Sequence, residues 1–143
     1  MRKLFILAAI TTLAACGDST SPGPNLGGSW LYSVSNLTSG SVTCSSSGTT
    51  LSITQSGTTF SGSYSGGTLT CLTPSGSSSG LIGTGAVVSG SLSGNAVSFD
   101  LDTGDWHNSG SISGGSMSGT VAVRLTISGT TFVLSGNFGA ARS

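Results

Sequence analysis

Apolar and polar residues alternate along most of this chain with a period of two, which is typical of β-strands that bury one face. The longest run extends from Met117 to Ile127, where every second residue is apolar or Gly and the residues between are Ser, Thr, Ala and Arg. A disordered chain has no reason to maintain such a register over eleven residues. Ser-Gly pairs at 56–57 and 128–129 separate consecutive runs and are typical of tight turns. The pattern therefore predicts a folded chain of strands and turns.

The spacing of these runs predicts an all-β fold in which consecutive strands are antiparallel neighbours. Short turns between successive strands give an up-and-down meander, and about eight to ten such strands close into a barrel that leaves no sticky edge. Loops are predicted between the first two strands, where a Ser-rich segment contains Cys44, at 73–80, and around Trp106 and His107. The predicted strands cover residues 29–35, 49–55, 58–65, 68–72, 83–92, 96–102, 109–113, 116–127 and 130–141.

The phase of the apolar residues predicts which side chains point into this barrel, and the predicted inward set includes both bulky residues and glycines. Inward Gly62 and Gly119 favour a cavity that holds one small ligand, whereas the phenylalanines favour a filled interior, and about eight strands allow either. The predicted inward residues are Trp30, Tyr32, Val34, Leu51, Ile53, Phe60, Gly62, Tyr64, Ala86, Val88, Gly90, Leu92, Val97, Phe99, Leu101, Gly119, Phe132, Leu134, Gly136 and Phe138.

Composition supports an all-β chain and excludes several classes of partner. Charged residues make up 6% of the 143 residues and Gly contributes 24, so helix formers and helix-stabilising ion pairs are scarce. After the first 15 residues only two Arg stand against four Asp, a net charge of −2 that attracts neither nucleic acid nor an anionic membrane surface. The predicted outward positions are mostly Ser, Thr, Asn and Asp, unlike the apolar band of a transmembrane barrel.

The chain begins with Met1-Arg2-Lys3 and a short apolar run, and the run ends at Leu13-Ala14-Ala15-Cys16. A basic start, an apolar segment too short to span a bilayer and a small-residue cleavage site indicate a signal peptide. The Leu-Ala-Ala-Cys ending resembles the lipobox of bacterial lipoproteins. That resemblance implies cleavage before Cys16 and a diacylglycerol group in thioether linkage to its sulfur, with palmitate among the acyl chains. We therefore predict a signal peptide over 1–15, a lipidated tether over 16–28 and a barrel domain over 29–143.

The lipobox resemblance also implies a place for the protein in the cell envelope. In that family an Asp directly after the lipidated Cys favours retention in the inner membrane, but here Gly17 follows and Asp18 comes one place later. The resemblance therefore implies anchoring in the outer membrane, with the membrane itself as partner through the lipid on Cys16.

Lipidation of Cys16 would leave Cys44 and Cys71 as a pair in an exported chain, where disulfides form. We predict that these two residues form a disulfide. The alternative is a metal-binding or catalytic thiol, for which His107 is the one histidine in the sequence.

Gly28-Ser29-Trp30, at the entry to the first predicted strand, resembles the Gly-x-Trp motif of lipocalins and related barrels such as avidins. Arg142, at the end of the last strand, stands where lipocalins often place an Arg against that Trp. The segments 51–55 and 60–64 are also similar to strands of lipocalin- and avidin-like bacterial lipoproteins. The resemblance implies a barrel closed at one end by Trp30 and Arg142. It does not extend to biotin binding, because avidins line their site with several Trp and this chain has two.

Residues able to support chemistry are few. Asp100, Asp102 and Asp105 form a weak Ca²⁺ candidate, but the segment lacks the glycine position and the distal Glu of an EF-hand loop. Asp102 also begins an Asp-Thr-Gly triplet like that of aspartic proteases, although a match of three residues is expected by chance in a chain rich in Thr and Gly. A single His107 cannot build a zinc site. We therefore expect no enzyme, no cofactor and no bound metal.

Two function classes remain after these exclusions. In the first, the barrel binds a small apolar ligand or a partner protein of the envelope, and its ligand contacts are predicted at Tyr64, Phe99, Trp106 and His107. In the second, the protein is a structural or surface lipoprotein with a filled barrel and no ligand. The sequence leaves both open.

Overall fold

The structure is a computed structural model that describes residues 23–102, 105–127 and 129–143. The predicted leader, the lipidation residue Cys16 and the Thr103-Gly104 part of the protease-like triplet lie outside these ranges. In the described ranges the regular structure is all β, as predicted, and no helix there is long and apolar enough to cross a membrane. The strands are β1 (Gly28–Ser39), β2 (Val42–Ser56), β3 (Thr59–Thr73), β4 (Gly76–Leu81), β5 (Thr84–Ser93), β6 (Ala96–Leu101), β7 (Trp106–Ser113), β8 (Ser116–Ile127) and β9 (Thr130–Arg142).

Eight of these strands form a closed antiparallel barrel, and β4 is attached outside it. The strands are hydrogen-bonded in the order β2-β1-β9-β8-β7-β6-β5-β3-β4, and β2 also pairs with β3, which closes the ring. The first and last strands are neighbours, with Trp30 opposite Arg142 and Val34 opposite Phe138. The predicted meander and its closure are therefore confirmed.

The tight turns follow from the Ser-Gly pattern of the sequence. Gly57 and Gly94 adopt φ angles of 62° and 57° in the β2–β3 and β5–β6 turns, a left-handed conformation that glycine reaches without steric cost. Each turn sets a hairpin register, so that Ser56 pairs with Thr59 and Ser93 with Ala96. The local turn chemistry is thus the reason why successive strands become neighbours.

The structure corrects the prediction between residues 66 and 81. The strands predicted at 58–65 and 68–72 are one continuous strand, β3, because Gly66 and Gly67 adopt positive φ angles of 73° and 91° without interrupting the pairing with β2. The loop predicted at 73–80 is a short turn followed by β4, whose backbone pairs with the second half of β3. Residues 68–81 therefore form a hairpin extension that projects beyond the barrel wall.

Three further corrections concern single elements. The Ser-rich loop predicted around Cys44 is instead the end of β1, a short turn at Gly40 and the start of β2, in which Cys44 pairs with Leu37. The predicted loop around Trp106 and His107 is the start of β7. In the first half of β5 the buried residue is Val87, whereas Ala86 and Val88 were predicted inward; in the second half Gly90 and Leu92 are buried as predicted. A register shift follows Val88, where Ser89 has a φ of 54°, and such a bulge changes which side chains face the core.

The barrel interior is filled by apolar side chains rather than hollow. Phe99 lies near its centre, with its ring centroid 5.6 Å from that of Phe138, 5.9 Å from Phe60 and 6.4 Å from Tyr32. The inward glycines do not add space, since a Cβ atom at Gly62 would collide with the backbone of β2. The prediction that inward glycines leave a cavity is therefore wrong: the neighbouring strands occupy that volume.

Candidate functional site

One end of the barrel is closed by the segment that precedes β1, which we call the closing segment (residues 23–27). Leu26 is fully buried, and the Gln55 side chain holds this segment by accepting the Leu26 N–H at 2.5 Å and donating to the Pro24 carbonyl at 3.3 Å. The Trp30 indole N–H donates to the Leu26 carbonyl at 2.8 Å. The end of the predicted tether thus packs against the barrel.

Arg142 lies over the outer side of this closed end. Its guanidinium carbon is 4.6 Å from the centroid of the fully buried Trp30 ring, which is cation–π geometry. The same guanidinium donates to the carbonyls of Gly27, at 2.7 Å, and Asn25. The last strand therefore secures both the floor residue of the barrel and the closing segment that covers it.

The opposite end of the barrel is open and carries a pocket of about 330 Å³, which we call the mouth pocket. Barrel strands form one wall of the mouth pocket, and the hairpin extension forms the other. Its lining contains both apolar side chains and small polar residues, so the pocket offers apolar surface to a small molecule together with hydrogen-bonding groups. Its lining residues are Tyr64, Leu69, Cys71, Ser78, Ser79, Gly80, Leu81, Ile82, Asp102, Trp106, Leu125 and Thr126.

A disulfide joins the hairpin extension to strand β2. Cys44 of β2 and Cys71 of β3 are directly opposite each other in the ladder, with Cα atoms 4.0 Å apart, and they form the predicted bond. Cys71 also lines the mouth pocket. The bond therefore ties one wall of the mouth pocket to β2 of the barrel.

Asp102 is the one carboxylate among the described residues that line the mouth pocket. It follows β6 directly and has a φ of 47°, in the left-handed region that Asp and Asn tolerate better than most side chains. Its Oδ1 accepts the Ala86 N–H at 3.4 Å. A Cβ atom added at Gly85 would collide with both this carboxylate and the Tyr64 ring, so glycine there lets the two groups approach.

The four predicted ligand contacts separate into two groups. Tyr64 and Trp106 line the mouth pocket, as a binding site at the barrel mouth requires. Phe99 is buried in the core, and His107 points outward, where its imidazole pairs with Asp100 across β6 and β7. The prediction for Phe99 and His107 is therefore corrected, because alternation along each strand sends them to the core and to the outer surface.

The predicted carboxylate cluster is not assembled either. Asp100 lies on the outer face of the barrel with His107, while Asp102 lines the mouth pocket. Asp105 is exposed and is absent from the pocket lining. In residues 23–102, 105–127 and 129–143, no group of three or more His, Cys, Asp and Glu side chains is arranged to hold a metal ion.

Sequence reasoning did not predict a polar contact that lies inside the core. The Tyr32 hydroxyl donates to Asn108 Oδ1 at 2.7 Å, and Asn108 Nδ2 donates to the Phe99 carbonyl at 3.3 Å. Burial raises the pKa of the Tyr32 hydroxyl, and its hydrogen bond to Asn108 opposes part of that rise. One signal was available: in β7, Asn108 occupies the position in phase with Ile112, so it points inward.

Sequence reasoning also missed most of the pocket wall. Leu81 and Ile82 fell between the loop predicted at 73–80 and the strand predicted at 83–92, and Leu69 was assigned to a separate short strand. The available signal was the apolar Leu81-Ile82 pair that ends a run of Ser and Gly residues.

Comparison of the chain with protein-family models, with curated proteins and with solved structures finds no match.

Proposed function

We propose that this protein is a lipid-anchored protein of the bacterial cell envelope that binds a small apolar ligand at the mouth of its barrel. The observation that carries the ligand-binding part is the mouth pocket of about 330 Å³, whose lining combines apolar side chains with hydroxyl groups. Its volume is in the range of small-molecule sites in proteins. The closed barrel is compatible with a lipocalin-like module, although the filled interior moves the ligand from the centre to the mouth.

The filled interior also supports a second proposal, a structural or surface lipoprotein without a ligand. Phe99, Tyr32 and Phe138 occupy the volume that a central ligand would need. In this case the mouth pocket would contain only water. Neither proposal requires catalysis, and we propose a non-enzymatic role in both.

The lipid anchor rests on the Leu13-Ala14-Ala15-Cys16 sequence after a basic and apolar leader. Cells that express the chain should incorporate labelled palmitate into it, and Cys16→Ser should abolish the incorporation. Fractionation of the same cells should place the wild-type protein in the outer membrane. Label that persists in the Cys16→Ser protein would contradict lipidation at this residue.

The ligand proposal is tested by blocking the pocket without altering the barrel. Gly80 lines the mouth pocket and a Cβ atom there meets nothing within 4 Å, so Gly80→Phe places a large ring in the pocket with little local strain. Gly139→Phe is the comparison variant, because Gly139 of β9 alternates with inward residues, its Cβ position is also open, and it lines a separate surface pocket beside β1.

Native mass spectrometry of the protein purified from its own host measures the outcome. We expect an additional stoichiometric mass on the wild-type and Gly139→Phe proteins that is lost from Gly80→Phe. An additional mass that survives in Gly80→Phe would place the ligand elsewhere. A clean ligand-free mass for the wild-type protein across preparations would favour the structural role.

A further inference from the structure

We propose that the mouth pocket selects ligands that carry a protonated amine or another cationic head on an apolar body. This inference rests on the proposed ligand-binding function and specifies the chemical class of the ligand. It follows from the position of one carboxylate, the neutral character of the surrounding wall and the aromatic rings beside it.

The first observation is the placement of Asp102. Its carboxylate lines the mouth pocket and is only partly exposed, and the Ala86 N–H binds Oδ1 at 3.4 Å. A carboxylate has two oxygens and about four acceptor sites, so one backbone donor leaves acceptor capacity for a ligand. The backbone amide also orients the side chain before any ligand arrives, which reduces the entropy that binding must remove.

The second observation is the charge of the wall. Among the described residues that line the mouth pocket, Asp102 is the only carboxylate and no Lys, Arg or His takes part. The outward-facing His107 pairs with Asp100, and Arg124 is exposed on β8 between inward Val123 and the partly buried Leu125. The potential inside the pocket is therefore negative, which favours a cation and disfavours a carboxylate ligand of the same shape.

The third observation is the set of groups around the carboxylate. Trp106 and Tyr64 are in the same wall, and the faces of aromatic rings attract cations. Leu69, Ile82 and Leu125 provide apolar surface for the remainder of the molecule. A ligand with one cationic end and one apolar end satisfies both parts of the wall, whereas a wholly apolar ligand would desolvate the carboxylate and leave the Ala86 N–H as its compensating contact.

Three probes with the same eight-carbon chain test the inference: octylammonium, 1-octanol and octanoate. Isothermal titration calorimetry uses the full chain with Cys16→Ser, refolded in an oxidising buffer so that only Cys44 and Cys71 can pair. Charge-assisted hydrogen bonds are about twice as strong as neutral ones. We expect octylammonium to bind about tenfold more tightly than octanol, and octanoate to bind more weakly than either.

Asp102→Asn removes the charge, and Asn keeps a similar shape and tolerates the left-handed backbone. This variant should lose the preference for octylammonium over octanol while its affinity for octanol stays within about twofold. Asp105→Asn is the control for net charge, since Asp105 is exposed and absent from the pocket lining; it should keep the preference.

The outcomes distinguish the selectivity for cations from the ligand-binding proposal on which it rests. If octylammonium and octanol bind equally to the wild-type pocket, or if Asp102→Asn retains the preference, the cationic selectivity is wrong and the apolar binding site stands. If none of the three probes binds, or if Gly80→Phe leaves their binding unchanged, the mouth pocket is not a ligand site and both proposals fail.

Discussion

The hydrogen bond between Tyr32 and Asn108 gives a sharp test of how the core of this barrel is held. Both residues are fully buried, and the hydroxyl and the amide oxygen are 2.7 Å apart. Tyr32→Phe removes the hydroxyl donor, so the Asn108 Oδ1 atom loses this hydrogen bond inside an apolar interior. An unsatisfied buried polar group costs about 1–3 kcal/mol, so we expect the free energy of unfolding to fall by about 2 kcal/mol.

A double-mutant cycle extends this test. Its second single variant, Asn108→Leu, leaves the Tyr32 hydroxyl unpaired and should lower the free energy of unfolding by a similar amount. The double variant has neither orphaned group. Its loss should therefore be smaller than the sum of the single losses by about 2 kcal/mol, which is the expected coupling between residues in direct contact. In a domain of this size a loss of 2 kcal/mol lowers Tm by roughly 8 °C.

Urea unfolding followed by tryptophan fluorescence, with the disulfide intact, measures all four proteins. Tyr64→Phe is the control, because it removes the same hydroxyl from a tyrosine that lines the mouth pocket, where water can replace it. Single variants as stable as the wild type, or losses that add in the double variant, would show that this hydrogen bond does not stabilise the core.

Three further predictions concern the disulfide, the closed end and alkaline pH. Replacing Cys44 and Cys71 together by Ala should lower stability by about 3.5 kcal/mol, from the 27-residue separation that the bond closes, and a loss under about 1 kcal/mol in urea unfolding would contradict this. Arg142→Ala should lower stability by about 1–2 kcal/mol through its contacts with Trp30 and the closing segment, whereas Arg142→Lys should lose less; an unchanged unfolding midpoint in the Ala variant would refute the contribution. Because burial raises the pKa of Tyr32, the folded state keeps a proton that the unfolded state loses above about pH 10, so stability is retained below that pH and falls above it by up to about 1.4 kcal/mol per pH unit. Tyr32→Phe should reduce this slope between pH 10 and 11, and an equal slope in both proteins would contradict the buried hydroxyl.

The elements that sequence reasoning predicted best are those in which one strand follows a regular alternation. Residues 116–127 were predicted with the bounds that the structure shows for β8, and Val97, Phe99 and Leu101 of β6 point inward as predicted. In these strands each local preference agrees with burial in the barrel. The disulfide prediction is also confirmed, but it depended on the count of cysteines and on the lipobox resemblance rather than on strand register.

The failures occur where the backbone departs from regular alternation or where side chains are too small to show a pattern. The bulge at Ser89 places Val87 inward, and a strict period of two cannot reveal such a shift. Strand β4 is mainly Ser and Gly, so its sequence is typical of a loop, and only pairing with β3 makes it a strand. Because β4 forms a wall of the mouth pocket, most of the candidate site could not be predicted.

The position of the closed end bears on how the barrel would be oriented if Cys16 carries the proposed lipid. The chain enters the barrel at Leu26 and Trp30, at the opposite end from the mouth pocket, and the twelve residues of β1 span roughly 30 Å along the tilted barrel. With the proposed lipid on Cys16, the floor of the barrel is the end nearer the bilayer and the mouth is held away from it. A ligand of the mouth pocket would then exchange with the surrounding water rather than by lateral diffusion from the lipid. The residence time of the ligand would then depend on its dissociation into the surrounding water. The lipid anchor would determine where the protein meets its ligands, and the anchor itself would not occupy the pocket.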